Sequence, residues 1–319
     1  MCIRDSISIL KDLGYDVLLS NRIFDSLLFW KYDILFSYFY RYSFFAALLA
    51  KCFGKKTYFT GGIDSLDSDY ASAFNYKIQA LFFKLCYWVA DSCIIVSQSD
   101  LKNIFKVSSL KKKLSYSEHV INTKLFIADV PKEKIFTSIV WMGDEGNVVR
   151  KGVDKALQIF AELKKIPEFV DYRFVIIGRK GEGEVLVRSI IDKYNLKGSV
   201  ELKGEVSEED KINLLKQSKY YFQLSLYEGF GLAALEALCA NNIIIHSGKG
   251  GLANPIYKEQ LLFDIDNDFD SELLKLVNKL ACFTPITSYD NLLEYYDIQR
   301  RKDDFEAIIV NGKSNYKLK

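Results

Sequence analysis

Strand-like and helix-like segments alternate through the second half of this 319-residue chain, and that alternation limits the folds open to it. Ile139 to Met142 reads as a strand, Asp154 to Lys165 as a helix, Tyr172 to Ile177 as a strand and Gly183 to Tyr194 as a helix. Val200 to Leu202 follows as a strand, then Ser207 to Gln217 as a helix opened by a Ser-x-x-Asp capping box. Tyr220 to Ser225 and Ile243 to His246 are further β-rich runs, separated by a glycine-rich turn and an apolar helix. Such repetition packs as a parallel sheet with helices on both faces, and ligands of such sheets sit beyond the C-terminal ends of the strands. The first half alternates too, with strands predicted at Asp16 to Leu19, Ile34 to Tyr38, Thr57 to Thr60 and Ser92 to Val96, and a long helix at Tyr76 to Ala90. The chain is long enough for two α/β domains, 1–133 and 134–319, and the short polar stretch Val130-Pro131 to Lys134 is the expected junction.

Composition excludes several function classes. Apolar and charged fractions of 49% and 26% fit a soluble globular protein, and a net charge of +2 argues against nucleic acid as a partner. Six cysteines form no C-x-x-C pair; Cys52, Cys86, Cys93 and Cys239 lie in apolar surroundings, as expected of packed thiols in a reducing cytoplasm. With His119 and His246 as the only histidines, metal sites and Ser-His-Asp chemistry are poorly supplied, which leaves carboxylates as acids and bases. No apolar run is long enough to span a bilayer. Leu27 to Phe53 mixes Phe and Tyr with Lys and Arg, and Lys111 to Lys113 adds a basic cluster. That mixture reads equally as a surface that rests on an anionic membrane or as core elements beside a solvated lysine run.

The most informative stretch is Tyr227-Glu228-Gly229-Phe230-Gly231-Leu232-Ala233-Ala234-Leu235-Glu236-Ala237. Glu228 should lie where strand gives way to helix, with the N–H groups of Gly229 to Leu232 pointing outward at the positive end of the helix dipole. A diphosphate fits that description. Glu236, two turns on, projects from the same side and is placed to accept hydrogen bonds from ligand hydroxyls.

Glu228-x7-Glu236 with Glu-Gly-Phe-Gly-Leu between resembles the signature of retaining nucleotide-sugar glycosyltransferases with two Rossmann-like domains facing a cleft, the GT-B fold. The resemblance is strong after Ile139 and looser from Ser6 onward. It implies transfer of a sugar from a nucleoside diphosphate donor to a hydroxyl acceptor, with no cofactor and no essential metal; the second domain would hold the nucleotide and the first a glycan or lipid-linked acceptor. In the family the first glutamate meets the donor sugar and the second the ribose. Arg and Lys after the first strand stabilise the leaving diphosphate. Lys151 matches; Asp144 stands where the family has Arg, and Arg150 is the candidate substitute. Gly229, Phe230, Gly231 and Leu232 are expected at the donor, as are Gly143, Gly178 and Val206 toward the nucleotide and Gly250 and Gly251 toward the sugar. Asn241 falls where the family has a glycine, in a left-handed position that Asn tolerates.

Thr60-Gly61-Gly62-Ile63-Asp64 resembles a Thr-x-His-Gly-x-Asp region, which makes Gly61, Gly62 and Asp64 acceptor-side candidates with Gly61 in place of the histidine. Asn122 to Phe126 resembles the segment entering the interdomain linker, and the family's last helix crosses back onto the first domain. Asp67-Ser68-Asp69 and Asp264-Ile265-Asp266 read D-x-D, a pattern of metal-dependent enzymes of another design, but lack its strand-loop context. The family opens with a strand and a glycine-rich loop that Met1-Cys2-Ile3-Arg4-Asp5 does not resemble, so a truncated N-terminus is expected, with a divergent first domain as the alternative. Low proline with abundant Lys, Ile, Asn, Phe and Tyr suggests a bacterial source and surface polysaccharide or glycolipid assembly, in the cytoplasm or at the inner face of the membrane. A donor-binding pseudoenzyme and an epimerase or hydrolase on the same fold are the rival readings.

Overall fold

The computed structural model describes residues 2–61, 63–68, 71–127, 130–283 and 290–312. Packing divides the chain into two units, Met1–Ile121 with Tyr296–Lys319, and Asn122–Tyr295. The division falls upstream of the polar Val130 to Lys134 stretch for a physical reason. Ile121 is tied to the returning chain, its N–H donating to Tyr296 O at 3.0 Å, whereas Lys132 is already anchored in the second unit, its Nζ donating to Lys216 O at 2.8 Å.

The first unit runs α1 (Cys2–Asp12), β1 (Ile34–Tyr38), α2 (Tyr40–Cys52), β2 (Lys56–Thr60), α3 (Ala73–Val89), β3 (Ser92–Ile95), α4 (Gln98–Val107) and β4 (Leu114–Tyr116). Among the described residues its four strands lie in the order β1-β2-β3-β4 and are parallel throughout. Steady progress in one direction with right-handed crossovers puts α2, α3 and α4 on one face of the sheet. The core confirms it, since Tyr40, Phe44 and Ala47 of α2, Phe83 and Cys86 of α3 and Ile104 of α4 pack with Phe59, Cys93 and Ile95. Asp16 to Leu19 forms no strand, contrary to the sequence pattern. Leu18 and Leu19 are 70% and 66% exposed there, and an apolar run becomes a strand only where a neighbour takes its backbone hydrogen bonds. The short strand β4 carries too little signal to be read locally.

The second unit contains β5 (Glu133–Ile139), α5 (Glu145–Arg150), α6 (Val153–Leu163), β6 (Arg173–Ile177), α7 (Glu184–Lys193), β7 (Val200–Gly204) and α8 (Glu208–Gln217). It continues with β8 (Ser218–Gln223), α9 (Leu232–Cys239), β9 (Ile243–His246), β10 (Leu261–Leu262), α10 (Phe269–Cys282) and α11 (Asp290–Tyr295). Among the described residues six parallel strands are ordered β10-β9-β8-β5-β6-β7. Strand alternation sorts the core: Phe136, Phe174, Tyr220 and Phe222 face α6, α7 and α10, while Ile135, Val175 and Ile177 face Leu214 of α8. The first strand begins and ends earlier than the predicted Ile139 to Met142. Beyond Ile139 the ladder goes on as loop pairing, with Val140 and Met142 N–H donating to Ile177 O and Arg179 O, both at 2.9 Å.

After α11 the chain rejoins the first unit as α12 (Ile298–Phe305) and a π-helical turn, Glu306–Val310. Phe305, Ile308 and Ile309 pack with Ile9 and Leu10 of α1 and with Tyr58 and Ile94 of the sheet. Cys86, Cys93 and Cys239 are buried as expected, and burial pushes the Cys93 and Cys239 thiols up to about 12, which makes them unreactive packing groups. Cys52 is exposed instead, because it sits on the outer side of α2.

Candidate active site

Strand order locates the site within the second unit. From β5 the chain steps outward to β6 and β7, then returns to the other side of β5 as β8 and continues through β9 to β10. Chain crossovers therefore leave neighbouring strands β5 and β8 toward opposite faces of the sheet, and open parallel sheets bind ligands at such a switch point. The loop after β5 leads to Lys151, and the loop after β8 carries Glu228.

Lys151 is set by two helices rather than one. Asn147 to Arg150 reads in the sequence only as the link into a helix, but Asp144 caps α5 there, its carboxylate accepting from Asn147 N–H at 2.6 Å. Arg150 and Lys151 thus sit at the C-terminal end of α5, where its dipole favours cations, and immediately before α6. Gly152 makes the turn at φ +68 so close to β8 that a Cβ would lie 2.0 Å from Leu224 O. Leu226 N–H donates to Arg150 O at 2.8 Å on the same seam. Arg150 does not reach toward Glu228: its Nη2 donates to Asn147 Oδ1 at 2.6 Å.

Lys151 Nζ and Glu228 Oε2 form an ion pair at 2.7 Å, with side chains 21% and 16% exposed. Gln223 Nε2 and Ser225 Oγ also donate to that oxygen, each at 3.1 Å. Sequence reading missed both donors, although polar residues closing a run as apolar as β8 are a readable signal. Gly250 and Gly251 back the glutamate loop: Gly251 N–H donates to Glu228 O, and a Cβ on Gly250 would lie 2.2 Å from that same carbonyl. Gly229 is half-buried and Phe230 buried, its backbone pressed against Gly251.

The helix after the motif begins at Leu232, later than the predicted Gly229. Gly231 is its N-cap at φ +88, a left-handed conformation that forms the corner. Its first internal bond runs from Leu235 N–H to Gly231 O at 2.9 Å, so the N–H groups of Leu232, Ala233 and Ala234 are the ones that point out of the helix start. Glu228 Cγ lies 3.6 Å from where a Cβ of Gly231 would be, which places lysine, glutamate and helix N-terminus at one spot.

Glu236 lies two turns into α9 and has a partner from α8. It is 1% exposed and its Oε1 pairs with Lys211 Nζ at 2.9 Å, which also holds Glu208 at 2.6 Å. That lysine, 8% exposed on α8, had no signature in the sequence. Gly178 takes φ +133 against β5, Gly143 lies in the facing loop, and Val206 packs beside Ile139. Asn241 does adopt the left-handed conformation, at φ 59. In the first unit Gly61 has φ +62 beneath the Tyr38 ring, and Asp64, itself exposed, opens a short turn, Asp64–Leu66; Gly62 and Asp69 lie outside the described residues. Asp264 and Asp266 serve a turn, with Asp266 N–H donating to Asp264 Oδ1 at 3.1 Å and Lys249 paired to Asp266.

His246 ends β9 near this site and is buried, and its Nδ1 accepts Gly248 N–H at 3.2 Å. Burial pushes its pKa from 6.5 down to about 4. The folded value lies below the unfolded one, so its stabilising contribution is complete above pH 6.5 and falls away as the pH drops toward 4. By pH 5 the loss should be about 2 kcal/mol. Urea midpoints at pH 7 and pH 5 should show a smaller acid loss for His246→Asn than for the parent, the remainder belonging partly to His119, which burial and Arg301 also hold neutral. An unchanged acid loss would exclude His246 as its source.

Residues 146–280 match the family Glycosyl transferases group 1. The chain is 32% identical over 163 residues to the GDP-mannose:cellobiosyl-diphosphopolyprenol alpha-mannosyltransferase of Xanthomonas oryzae, covering 44% of this chain and 40% of the relative. It is 30% identical over 105 residues to a subunit of the human phosphatidylinositol N-acetylglucosaminyltransferase, covering 33% of this chain and 21% of that one. The chain thus spans less than half the length of these relatives. Among solved structures, Anabaena HepE in complex with UDP superposes with a TM-score of 0.69 at 12% identity, over 90% of this chain and 81% of HepE, which shows the fold as GT-B. Residues 146–280, within the second unit, are thus similar to the group 1 glycosyltransferases, on a chain whose fold is GT-B.

Proposed function

We propose that the protein transfers a sugar from a nucleoside diphosphate donor to a hydroxyl acceptor with retention at the anomeric carbon. The observation that carries this is the meeting of Lys151, Glu228 and the α9 N-terminus at the sheet's switch point. As the bond from the sugar to the diphosphate oxygen breaks, negative charge grows on the phosphate. Lys151 exchanges Glu228 for that charge, and the N–H groups of Leu232 to Ala234 point toward it. Glu228, released from the lysine, accepts from the donor sugar, and its carboxylate answers the positive charge on the ring. The Xanthomonas relative is named for a lipid-linked acceptor, and a lipid-linked glycan is the acceptor class proposed here, in polysaccharide or glycolipid assembly at the inner face of a membrane. Metal has no part in the proposed step. Incubation with a panel of nucleotide sugars should release nucleoside diphosphate and free sugar slowly without acceptor; donor binding without any release would instead make the chain a donor-holding module.

Glu236 is proposed to accept hydrogen bonds from the ribose, exchanging part of its tie to Lys211. Glu236→Gln should weaken nucleoside diphosphate binding by about tenfold or more, the worth of a charge-assisted hydrogen bond. Glu236→Ala should also lower stability by about 3 kcal/mol, because it takes a carboxylate away from the buried Lys211. Titration calorimetry with the diphosphate decides the first point, and unchanged affinity in Glu236→Gln would assign Glu236 to the ion pair only.

A further inference from the structure

The outer face of the first unit joins features that lie far apart in the sequence. On α3, Phe74, Lys77, Leu81, Lys84 and Trp88 follow one another at steps of three and four residues and are all exposed, the three apolar ones by 71%, 55% and 70%. The opposite side of the helix carries Phe83, Cys86 and Tyr87 into the core. Next to it, α2 exposes Arg41, Tyr42 and Phe45, the last two by 74% and 62%. The helices touch through Phe44 and Phe82, whose rings lie 6.1 Å apart, and through Cys86 Sγ donating to Tyr40 O at 3.2 Å. Both helices cover the same face of the sheet, so their outer sides form one surface.

Charge on the two helices themselves has a single sign. Neither α2 nor α3 contains an Asp or Glu. The Lys111 to Lys113 cluster is brought to the end of α3, with Lys113 Nζ donating to Trp88 O at 2.8 Å and Lys113 N–H to Tyr87 Oη at 3.0 Å. At the end of α2, Lys51 is balanced by Asp91 at 2.9 Å. Contiguous exposed aromatic and aliphatic groups interleaved with lysines make a poor aqueous surface and a good fit to the boundary between acyl chains and anionic headgroups. No helix among the described residues is long and apolar enough to cross a membrane, so contact would be along the surface.

We propose that this α2–α3 face seats the protein on an anionic lipid bilayer, with Phe74, Leu81, Trp88, Tyr42 and Phe45 entering the interface and Lys77, Lys84 and the Lys111 to Lys113 cluster meeting the headgroups. Membrane seating is independent of the transfer reaction, and either can fail with the other intact. Flotation of the full chain with phosphatidylcholine vesicles, with and without phosphatidylglycerol, tests it. The protein should float with the anionic vesicles and far less with the neutral ones. Leu81→Glu/Trp88→Glu and, separately, Lys77→Glu/Lys84→Glu should each lower binding by about tenfold or more. All four positions are exposed, and circular dichroism together with donor hydrolysis checks that each variant is folded. In a variant retaining Trp88 as its one tryptophan, anionic vesicles should shift the emission to the blue. Failure to float, equal binding to neutral vesicles, or unweakened variants would overturn the proposal. So would a dimer in sedimentation that the same substitutions dissolve, because a second copy would then be the occupant.

Discussion

Replacing Lys151 by alanine should slow donor turnover by about a hundredfold to a thousandfold, the usual cost of deleting one preorganised group that meets developing negative charge. The effect should fall on kcat more than on KM, since the charge grows as the sugar–oxygen bond breaks and is smaller in the bound donor. Stability should change little. Glu228 keeps Gln223 Nε2 and Ser225 Oγ on the oxygen that the lysine vacates, and its side chain retains some access to water. Lys151→Arg should recover only part of the rate: its seat between α5 and α6 is fixed by Gly152 against Leu224, while a guanidinium is longer and planar. Steady-state kinetics on nucleotide release measures all of this. A Lys151→Ala enzyme with normal kcat and raised KM would show that the lysine only holds the donor.

From β5 to β9, α5 apart, the order of elements in the second unit was legible because each has a strong local signal: Ser207 caps α8 as its capping box predicts, and the apolar faces of α6 and α7 follow helical periodicity. Glu228 and Lys151 were singled out by their motifs, and the contact between them follows from strand order. Features that depend on a partner elsewhere in the chain were hidden. Asp16 to Leu19 looks like a strand but has no neighbour to pair with, and β4 looks like nothing until β3 supplies one. The role of Asp144 was hidden by the family pattern itself. It appeared as the loss of an arginine, whereas the structure uses it to start α5, which brings Lys151 to the end of a helix. Glu236 was read from periodicity as facing a ligand; periodicity gives a direction around the helix but could not show Lys211, which pairs with it from α8.

Gly178→Ala should be the most destabilising single-methyl change in the second unit, lowering the urea midpoint enough to indicate a loss of at least about 3 kcal/mol. Two costs combine. The backbone holds φ +133, outside the range that residues with a side chain adopt, and the added Cβ would lie 2.0 Å from Val140 O. That neighbour is backbone, and the same strand end donates Val140 N–H to Ile177 O at 2.9 Å, so it cannot withdraw without breaking the loop pairing. Gly152→Ala meets Leu224 O at the same 2.0 Å but from a less strained φ of +68, so it should cost somewhat less, with an added consequence. Any shift that relieves it separates Arg150 to Gly152 from Leu224 to Leu226 and draws Lys151 away from Glu228, so turnover should fall even where the protein remains folded. Gly198→Ala separates conformation from contact: φ is +84 there, yet nothing lies within 4 Å of the added carbon, and the loss should be only about 1–2 kcal/mol. If all three variants lose the same stability, backbone conformation alone accounts for these glycines. The close approach of the β5 and β8 loops would then not be what fixes Lys151 in place.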